Sequence, residues 1–521
     1  MPSPSEKLAQ SLEILHRLQS TNSAAAIRAK DLTRTHRERL LGNGFLREVI
    51  KGWYIPSRPD EAKGESTSWY ASFWRFSAVY LETRLGRNWS LSPEQSLSLH
   101  AGNWTVPRQL VVRSPKARNK VTLLPHGTSL LDLRAALPVH GDRVATDGLR
   151  LFSLEAALIE CSPRYFSTHA TDASAALAMI RDASGLLARL LDGGHTTIAG
   201  RLAGAFRKSG RGPIAEEIVK TMAAAGYNVR ETNPFGDASP LALPTREVSP
   251  YVNRIRLLWQ KMRGPVSERF PKAPGLPRNA GAYMKRVAEA YVTDAYHSLS
   301  IEGYRVNADL IQRVRIGNWN PDANEQDREQ RNAMAARGYW QAYQEVQKSI
   351  GRVLKGENPG AVAEDDHRAW YREMFAPSVT AGLLKPSDLA GYRNAQVYIR
   401  QSMHVPLNRE AVRDAMPAFF DLLGEETEPA VRVVLAHFVF VYIHPYMDGN
   451  GRIGRFLMNV MMAAGGYPWT VIPVADRKAY MDALEMASVG EDIEPFAEFL
   501  ARLVRKGLAG APLPEVPGTG S

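Results

Sequence analysis

The residues best suited to chemistry lie in one stretch of twelve, HPYMDGNGRIGR, which runs from His444 to Arg455. A histidine with a pKa near neutrality can accept a proton from an attacking hydroxyl group. The same stretch contains one carboxylate, Asp448, whose hard oxygens suit a Mg²⁺ ion that bridges two phosphates. A base and a magnesium ligand this close together predict chemistry on a phosphorylated ligand.

The glycines and arginines of this stretch indicate a phosphate-binding loop. Gly449, Asn450 and Gly451 let backbone N–H groups converge without obstruction by Cβ atoms, where a new helix begins. Arg452 and Arg455 are three residues apart, on one face of that helix, and their guanidinium groups suit the oxygens of a polyphosphate. Singly, each feature has a structural alternative: a core histidine, a simple turn or solvated arginines. Jointly they supply a base, a metal ligand, an anion cradle and two phosphate clamps.

Helices are predicted on both sides of this loop. The apolar run Val433–Ile443 is too short to span a bilayer and indicates a buried helix. Pro445 and the Gly449–Gly451 segment interrupt that helix, and Arg452–Met462 resumes the helical pattern. The predicted local structure is therefore helix, tight loop and helix.

At these positions the sequence resembles the Fic family of protein adenylyltransferases, whose motif reads His-Pro-Phe-x-Asp/Glu-Gly-Asn-Gly-Arg-x-x-Arg, with Tyr446 in place of Phe. The resemblance extends over residues 250–505 and implies transfer of AMP from ATP to a Ser, Thr or Tyr hydroxyl of a protein. It also implies ATP as substrate, Mg²⁺ as cofactor and one role for each motif residue. The implied roles are general base for His444, Mg²⁺ ligand for Asp448, anion hole for Gly449, Asn450 and Gly451, middle-phosphate clamp for Arg452 and terminal-phosphate clamp for Arg455.

An inhibitory signature of the same family, Ser/Thr-x-x-x-Glu-Gly/Asn, matches HSLSIEGYR through Ser298, Glu302 and Gly303. The pattern is short enough to occur by chance, but it lies on a predicted helix where self-inhibited members of the family carry it. The resemblance implies that Glu302 pairs with Arg455 and withdraws it from the terminal phosphate, while Ser298 stabilises the helix. An ordinary helix carboxylate is the alternative.

The segment AGYRNAQVYIRQSMHVPL, Ala390–Leu407, lies where the family carries its flap. We expect a β-hairpin near 391–407 that binds an extended segment of the target protein by strand addition. A structural edge hairpin without a target is the alternative. Further on, DRKAYMDALEMAS resembles the closing helix of the family, with Tyr480 either near adenine or in the core.

Charge distinguishes the two halves of the chain. Lysine and arginine exceed aspartate and glutamate by 65 − 54 = 11 over 521 residues. Residues 1–250 hold 32 basic and 23 acidic residues, a surplus of 9, whereas residues 251–521 hold 33 and 31, a surplus of 2. This asymmetry predicts a nucleic-acid-facing unit joined to a second unit, unless the first half is merely rich in arginine.

The predicted element order of residues 1–60 favours a winged helix-turn-helix. Helical spacing over Pro4–Ser20 continues through Ala24–Leu32, and the basic helix Thr33–Leu41 precedes a Gly-rich turn and a hairpin. An amphipathic helix capped by a hairpin is the alternative. The side chains expected to contact duplex DNA are Arg34, Arg37 and Arg39 in the major groove and Arg47 and Lys51 near the wing.

A second resemblance covers residues 5–240. LLGNGFLREVIKGWYIP, with LSLHAGNWTVPRQLVVRSP and GLRLFSLEAALIECSPRYF, resembles the AbiEi-like antitoxin and regulator family. It implies a winged helix followed by a mixed α/β region, and it adds DNA as an expected partner.

We therefore predict a mainly α protein, with an all-helical Fic core and a small β-hairpin flap preceded by a winged helix-turn-helix and a mixed α/β regulatory region. The predicted domains are 1–60, 61–240, 250–510 and a disordered tail, 511–521, and a Pro/Gly/Ser-rich stretch over 233–250 marks the main boundary. The single cysteine, Cys161, excludes an intrachain disulfide. The N-terminus has no signal-like pattern and the chain has no run of 18 apolar residues, so we expect a cytoplasmic protein without a membrane span. The sequence leaves open whether the protein forms a homodimer.

Three other functions fit parts of the sequence. A de-adenylylase would use Glu302 to position water. A Fic-like core could transfer UMP, phosphate or phosphocholine, because the loop binds phosphates and contacts little of the base. A transcription regulator with a vestigial Fic unit is disfavoured by the intact HPYMDGNGRIGR motif.

Overall fold

The computed structural model describes residues 3–22, 26–61, 64–236, 249–317 and 330–517. The chain folds into two compact units. One consists of Met1–Arg254 with Tyr398–Val405, and the other of Ile255–Val397 with Pro406–Ser521. The fold is mainly helical, as predicted. The boundary predicted over 233–250 comes just before the division at Arg254, and residues 237–248 lie outside the described part.

The N-terminal sixty residues form two helices and a three-stranded antiparallel sheet with the order β1-β3-β2. Thr33 begins the second helix by accepting a hydrogen bond from His36 N, and Gly44 (φ +76°) permits the turn into the hairpin. The elements are α1 (Pro4–Asn22), β1 (Ile27–Arg28), α2 (Arg34–Gly42), β2 (Leu46–Ile50) and β3 (Trp53–Pro56).

The helix predicted over Ala24–Leu32 is wrong within the described residues. Strand β1 is followed by a single 3₁₀ turn, Ala29–Asp31. Asp31 accepts hydrogen bonds from the backbone N–H of Arg28 (2.8 Å) and from its guanidinium (3.0 Å). Such local side-chain bonds to the backbone stabilise a turn in competition with a helix.

The rest of the N-terminal unit combines a long aromatic helix, two small sheets and a set of shorter helices. In the larger sheet, ordered β4-β5-β7-β6, strands β5 and β7 are parallel and the other pairs antiparallel. Helix α3 shares one apolar core with this sheet. The strands are β4 (Ser90–Leu91), β5 (Gln109–Ser114), β6 (Lys120–Leu123), β7 (Ser129–Arg134), β8 (Arg143–Thr146) and β9 (Leu149–Phe152). The helices are α3 (Thr67–Leu85), α4 (Pro93–His100), α5 (Leu154–Glu160), α6 (Tyr165–Thr168), α7 (Ala170–Met179), α8 (Ser184–Gly193), α9 (Thr196–Lys208) and α10 (Gly212–Ala224).

The C-terminal unit is helical. Its central pair, α17 and α18, packs together, and α17 is largely apolar and almost entirely buried, as predicted for a core helix. The helices are α11 (Pro250–Arg269, which contains the division between units), α12 (Ala280–Ile301), α13 (Ala308–Ile316), α14 (Gln330–Val353), α15 (Pro359–Thr380), α16 (Arg409–Glu425), α17 (Pro429–Ile443), α18 (Asn450–Gly465), α19 (Arg477–Val489) and α20 (Glu494–Leu508). None of the described helices is both long and apolar enough to cross a bilayer.

The hairpin predicted near 391–407 is absent from the structure, which describes all of these residues and assigns no strand to them. Two irregular arms meet at a turn in which Ser402 N donates to Ile399 O. The Gln396 side chain donates to Pro406 O (2.8 Å) and bridges the arms. Since proline has no N–H to donate, this bridge takes the place of a ladder bond.

Part of the predicted disordered tail is packed. Residues 511–517 continue from α20 as an irregular segment, and the Val516 side chain is buried. The burial of Val516 accounts for the packing of this part. Residues 518–521 lie outside the described part.

Candidate functional site

A tight loop joins α17 to α18 and places His444 at its entry. His444 has φ +56°, a left-handed conformation that is costly for a histidine, and Gly449 has φ +82°. The Asn450 side chain accepts from Tyr446 N (2.9 Å) and donates to Tyr446 O (2.8 Å), which fixes the loop. The side chain of Asn450 is therefore structural, and what this residue offers an anion is its backbone N–H at the start of α18.

His444 is held as a neutral base. Its Nδ1 lies 3.1 Å from Val441 O, and because a carbonyl only accepts, Nδ1 carries the proton and Nε2 is free to take one. Burial lowers the pKa of His444 to about 4.

Arg393, which the sequence analysis did not single out, supports the same histidine. Its Nε donates to His444 O (2.8 Å), and its backbone N–H donates to Pro445 O (2.9 Å). The Arg393 side chain is buried, and its positive charge also lowers the pKa of His444.

Asp448 is exposed beside the start of α18. Its Oδ1 accepts from Gly449 N (2.6 Å), and its Oδ2 lies 3.3 Å from Arg452 Nη2. No cluster of three or more metal-ligating side chains occurs among the described residues. A single exposed carboxylate fits Mg²⁺ that is held mainly by nucleotide phosphates and water.

Arg455 is buried and already paired. Its Nη2 donates to Glu302 Oε1 (2.7 Å) and to Ser298 O (3.1 Å), and its Nε donates to Ser298 Oγ (2.9 Å). The structure thus brings Glu302 and Arg455 together across 153 residues of sequence. Ser298, expected to stabilise its own helix, instead binds Arg455 directly.

The Glu302 carboxylate lies directly against the loop. A Cβ atom added to Gly451 would be 2.5 Å from Glu302 Oε1 and 3.2 Å from Arg455 Nη1. Since the N-terminal turn of a helix favours an anion, the carboxylate occupies a place suited to a phosphate.

Helix α12 carries Ser298, and Glu302 caps its C-terminal end. Gly303 (φ +87°) ends it in a Schellman motif, in which Gly303 N donates to Ser300 O (3.0 Å) and Tyr304 N to Leu299 O (3.1 Å). The positive φ explains the glycine at this position.

A buried carboxylate anchors the same helix. Asp294 accepts from Tyr339 Oη (2.6 Å) and Trp469 Nε1 (3.1 Å), and burial raises the pKa of Asp294 to about 6. These bonds fix the position of α12.

Two tyrosines near the loop belong to the core. Tyr480 is buried and bonds His437 Nε2 (2.8 Å), which favours the core position over the adenine-contacting one. Tyr446 stacks on Tyr371 with 3.9 Å between ring centres, so the exchange of Phe for Tyr keeps an aromatic contact.

Three of the arginines predicted to face DNA contact their own chain. Arg37 Nη1 donates to Ala29 O (3.0 Å), Arg39 Nη1 to Lys7 O (2.7 Å), and Arg47 Nη2 lies 3.2 Å from Glu61. Of the five side chains expected to contact DNA, the other two are exposed: Arg34, which pairs with Glu38, and Lys51.

The segment that contains this loop matches a known family. Residues 362–462 match the model of the Fic/DOC family. "Protein adenylyltransferase Fic" of Nematostella vectensis is 29% identical over 257 residues, which make up 49% of this chain and 56% of that protein. The protein of that name from Drosophila willistoni is 30% identical over 224 residues, 42% of this chain and 41% of that protein.

A solved fragment of Fic-1 from C. elegans aligns over 66% of this chain and 96% of the fragment, with 19% identity and a TM-score of 0.37. The chain carries a Fic domain and is related in sequence to proteins named protein adenylyltransferase. It spans about half the length of the curated relatives it matches.

Proposed function

We propose that the protein is an autoinhibited protein adenylyltransferase that moves AMP from ATP to a Ser, Thr or Tyr hydroxyl of a protein. The observation that carries the proposal is one loop with a neutral base, His444, at its entry and a buried guanidinium, Arg455, on the helix that follows. The match of 362–462 to the Fic/DOC model supports it.

In this proposal His444 Nε2 accepts the proton of the target hydroxyl as its oxygen attacks the α-phosphorus. The bond from the α-phosphorus to the bridging oxygen breaks, and pyrophosphate leaves. The N–H groups at the start of α18, with Arg452 and Arg455, offset the negative charge of the phosphates. Asp448 would hold Mg²⁺, which neutralises phosphate charge when bound.

Inhibition follows from the position of Glu302. Its carboxylate lies at the start of α18 and takes up Arg455 Nη2, so that Arg455 is withdrawn from the terminal phosphate. ATP then binds without the alignment that transfer needs.

Transfer from α-³²P-labelled ATP tests the proposal. Glu302→Gly should raise labelling of protein strongly, and Arg455→Ala should leave it low. The double variant should match Arg455→Ala, because Glu302 then has no partner to sequester. Glu289→Gly, an exposed carboxylate on α12, is the matched control and should behave like wild type. Labelling by Glu302→Gly no faster than by wild type would refute the inhibition.

The loop 391–407 is proposed to contact the target protein. No strand is assigned to 391–407, so a bound target would pair with irregular backbone instead of a hairpin. If the Gln396→Pro substitution lowers labelling of the target while self-labelling is unchanged, the result would support this role. Equal loss of both would contradict it.

We also propose that residues 1–60 bind duplex DNA as an AbiEi-like regulator. The order helix, 3₁₀ turn, helix and hairpin, together with the surplus of 9 basic residues in 1–250, supports this. The exposed Arg34 and Lys51 would make the contacts.

The test uses the whole chain. Its DNA affinity should fall steeply between about 50 and 200 mM salt, and Arg34→Ala with Lys51→Ala should weaken it further at low salt. The absence of DNA retention at low salt would contradict the proposal. We place the protein in the cytoplasm, where the buried thiol of Cys161 would stay reduced.

A further inference from the structure

Two aromatic rings lie against the guanidinium of Arg452. The Arg452 Cζ atom lies 5.2 Å from the ring centre of Tyr304 and 5.0 Å from that of Phe375. Both distances are within the range of a cation–π contact. The Arg452 side chain is 1% exposed, so these contacts are made away from water.

The edge of the same guanidinium is left for hydrogen bonds. Arg452 Nη2 makes a long contact with Asp448 Oδ2 (3.3 Å), and Arg452 Nε is buried without a hydrogen-bond partner in the described part of the chain. Rings that pack against a guanidinium restrict its orientation without taking up its N–H donors, which stay available to phosphate oxygens.

Phe375 also touches the loop. A Cβ atom added to Gly449 would be 2.8 Å from Phe375 Cε2 and 3.5 Å from Met374 Sδ. One ring on α15 therefore contacts both the loop glycine and Arg452.

Tyr304 reaches Arg452 from the inhibitory segment. The Schellman motif at Gly303 turns the chain after Glu302, and the bond from Tyr304 N to Leu299 O fixes the next residue. Residues 302 and 304 thus contact different arginines, Glu302 binding Arg455 and Tyr304 covering Arg452.

We infer that Tyr304 and Phe375 are positioning residues that hold Arg452 in the orientation in which it binds a nucleotide phosphate. This inference rests on the proposed function. It gives the segment 298–304 two opposed roles: Glu302 inhibits, whereas Tyr304 supports nucleotide binding. Removing the Glu302 side chain alone should therefore give a better enzyme than removing both side chains.

The test measures affinity for a non-hydrolysable ATP analogue with Mg²⁺ by calorimetry, on the full chain carrying Glu302→Gly. Adding Tyr304→Leu should weaken binding about 3- to 30-fold, the range expected for one cation–π contact between the exposed and the desolvated limits. Tyr304→Phe keeps the ring and should restore affinity. Tyr296→Leu, an aromatic on α12 whose ring contacts His297, is the matched control and should leave affinity unchanged.

Steady-state kinetics and substitution of Phe375 provide the remaining tests. The KM for ATP should rise in parallel with the dissociation constant while kcat changes little, because Arg452 holds the phosphate before and during transfer. Phe375→Leu should act in the same direction, and it replaces Tyr304→Leu if that variant does not fold. In an Arg452→Ala background, Tyr304→Leu should have no further effect.

The outcomes separate the two proposals. Any of three results would overturn the inference. Tyr304→Leu could bind the analogue as tightly as the parent protein, or Tyr304→Phe could bind it as weakly as Tyr304→Leu. Tyr304→Leu could also weaken binding just as much in the Arg452→Ala background. Analogue binding that responds as expected in a protein that transfers no AMP would overturn the proposed function and leave the inference standing.

Discussion

Replacing Glu302 by alanine should lower the free energy of unfolding of the C-terminal unit by about 1–3 kcal/mol. Removing one partner of a fully buried ion pair costs about 3–5 kcal/mol, and breaking a surface pair costs less than about 1 kcal/mol. The pair lies between these limits, because the Arg455 side chain is 5% exposed and that of Glu302 is 28% exposed. Ser298 keeps its two bonds to Arg455, which limits the loss.

Differential scanning calorimetry with and without ATP and Mg²⁺ measures this effect. For a unit of this size, a loss of 1–3 kcal/mol corresponds to a fall in Tm of about 2–10 °C. ATP should recover more stability in Glu302→Ala than in wild type, since a phosphate replaces the missing carboxylate.

Glu289→Ala is the control, because its carboxylate is 62% exposed and 4.0 Å from Lys285, and it should change stability by less than about 0.5 kcal/mol. A Glu302→Ala protein as stable as wild type, or one that ATP stabilises no more than wild type, would refute the reasoning.

Three further predictions concern residues around the loop. In a Glu302→Gly background, His444→Ala should slow transfer by about 10² or more while ATP affinity by calorimetry stays the same; transfer at full rate would exclude His444 as the base. Burial lowers the pKa of His437 to about 3, so the unfolded chain binds a proton that the native protein does not, and stability should fall as pH drops below about 6.5, by roughly 2 kcal/mol at pH 5. Urea unfolding should show a weaker pH dependence in His437→Gln, and an unchanged one would contradict this assignment. Finally, the buried Tyr446 hydroxyl has no hydrogen-bond partner in the described part of the chain, so Tyr446→Phe should be as stable as wild type or about 1 kcal/mol more stable, and a large loss in urea unfolding would reveal a missed partner.

The loop was predictable because its chemistry is local. The glycines and the asparagine offer backbone N–H groups where a helix begins, and the arginines follow at fixed spacing on the same helix. In the structure that helix, α18, begins at Asn450. The approach of Glu302 to Arg455 was predictable only through the family resemblance, since no spacing relates residues so far apart.

What the sequence could not indicate depends on tertiary contacts. Arg37 and Arg39 carry a helical spacing that suits a DNA groove, yet both donate to backbone carbonyls of the N-terminal unit. Tyr304 follows the end of α12 and Phe375 lies on α15, and only folding places both rings against Arg452. The 391–407 segment alternates like a strand, but no strand is assigned to it, and the Gln396 side chain bridges to Pro406, which has no N–H to donate.

Intact-protein and peptide mass spectrometry of the Glu302→Gly protein, incubated with ATP and Mg²⁺, tests the proposed reaction most directly. Self-modification or modification of an added target should appear as a mass increase equal to one AMP on a Ser, Thr or Tyr residue. The increase should be lost in the Glu302→Gly/His444→Ala protein. Three results would contradict adenylyl transfer by this loop: a mass increase equal to phosphate, an AMP adduct that persists in the Glu302→Gly/His444→Ala protein, or no adduct on any protein.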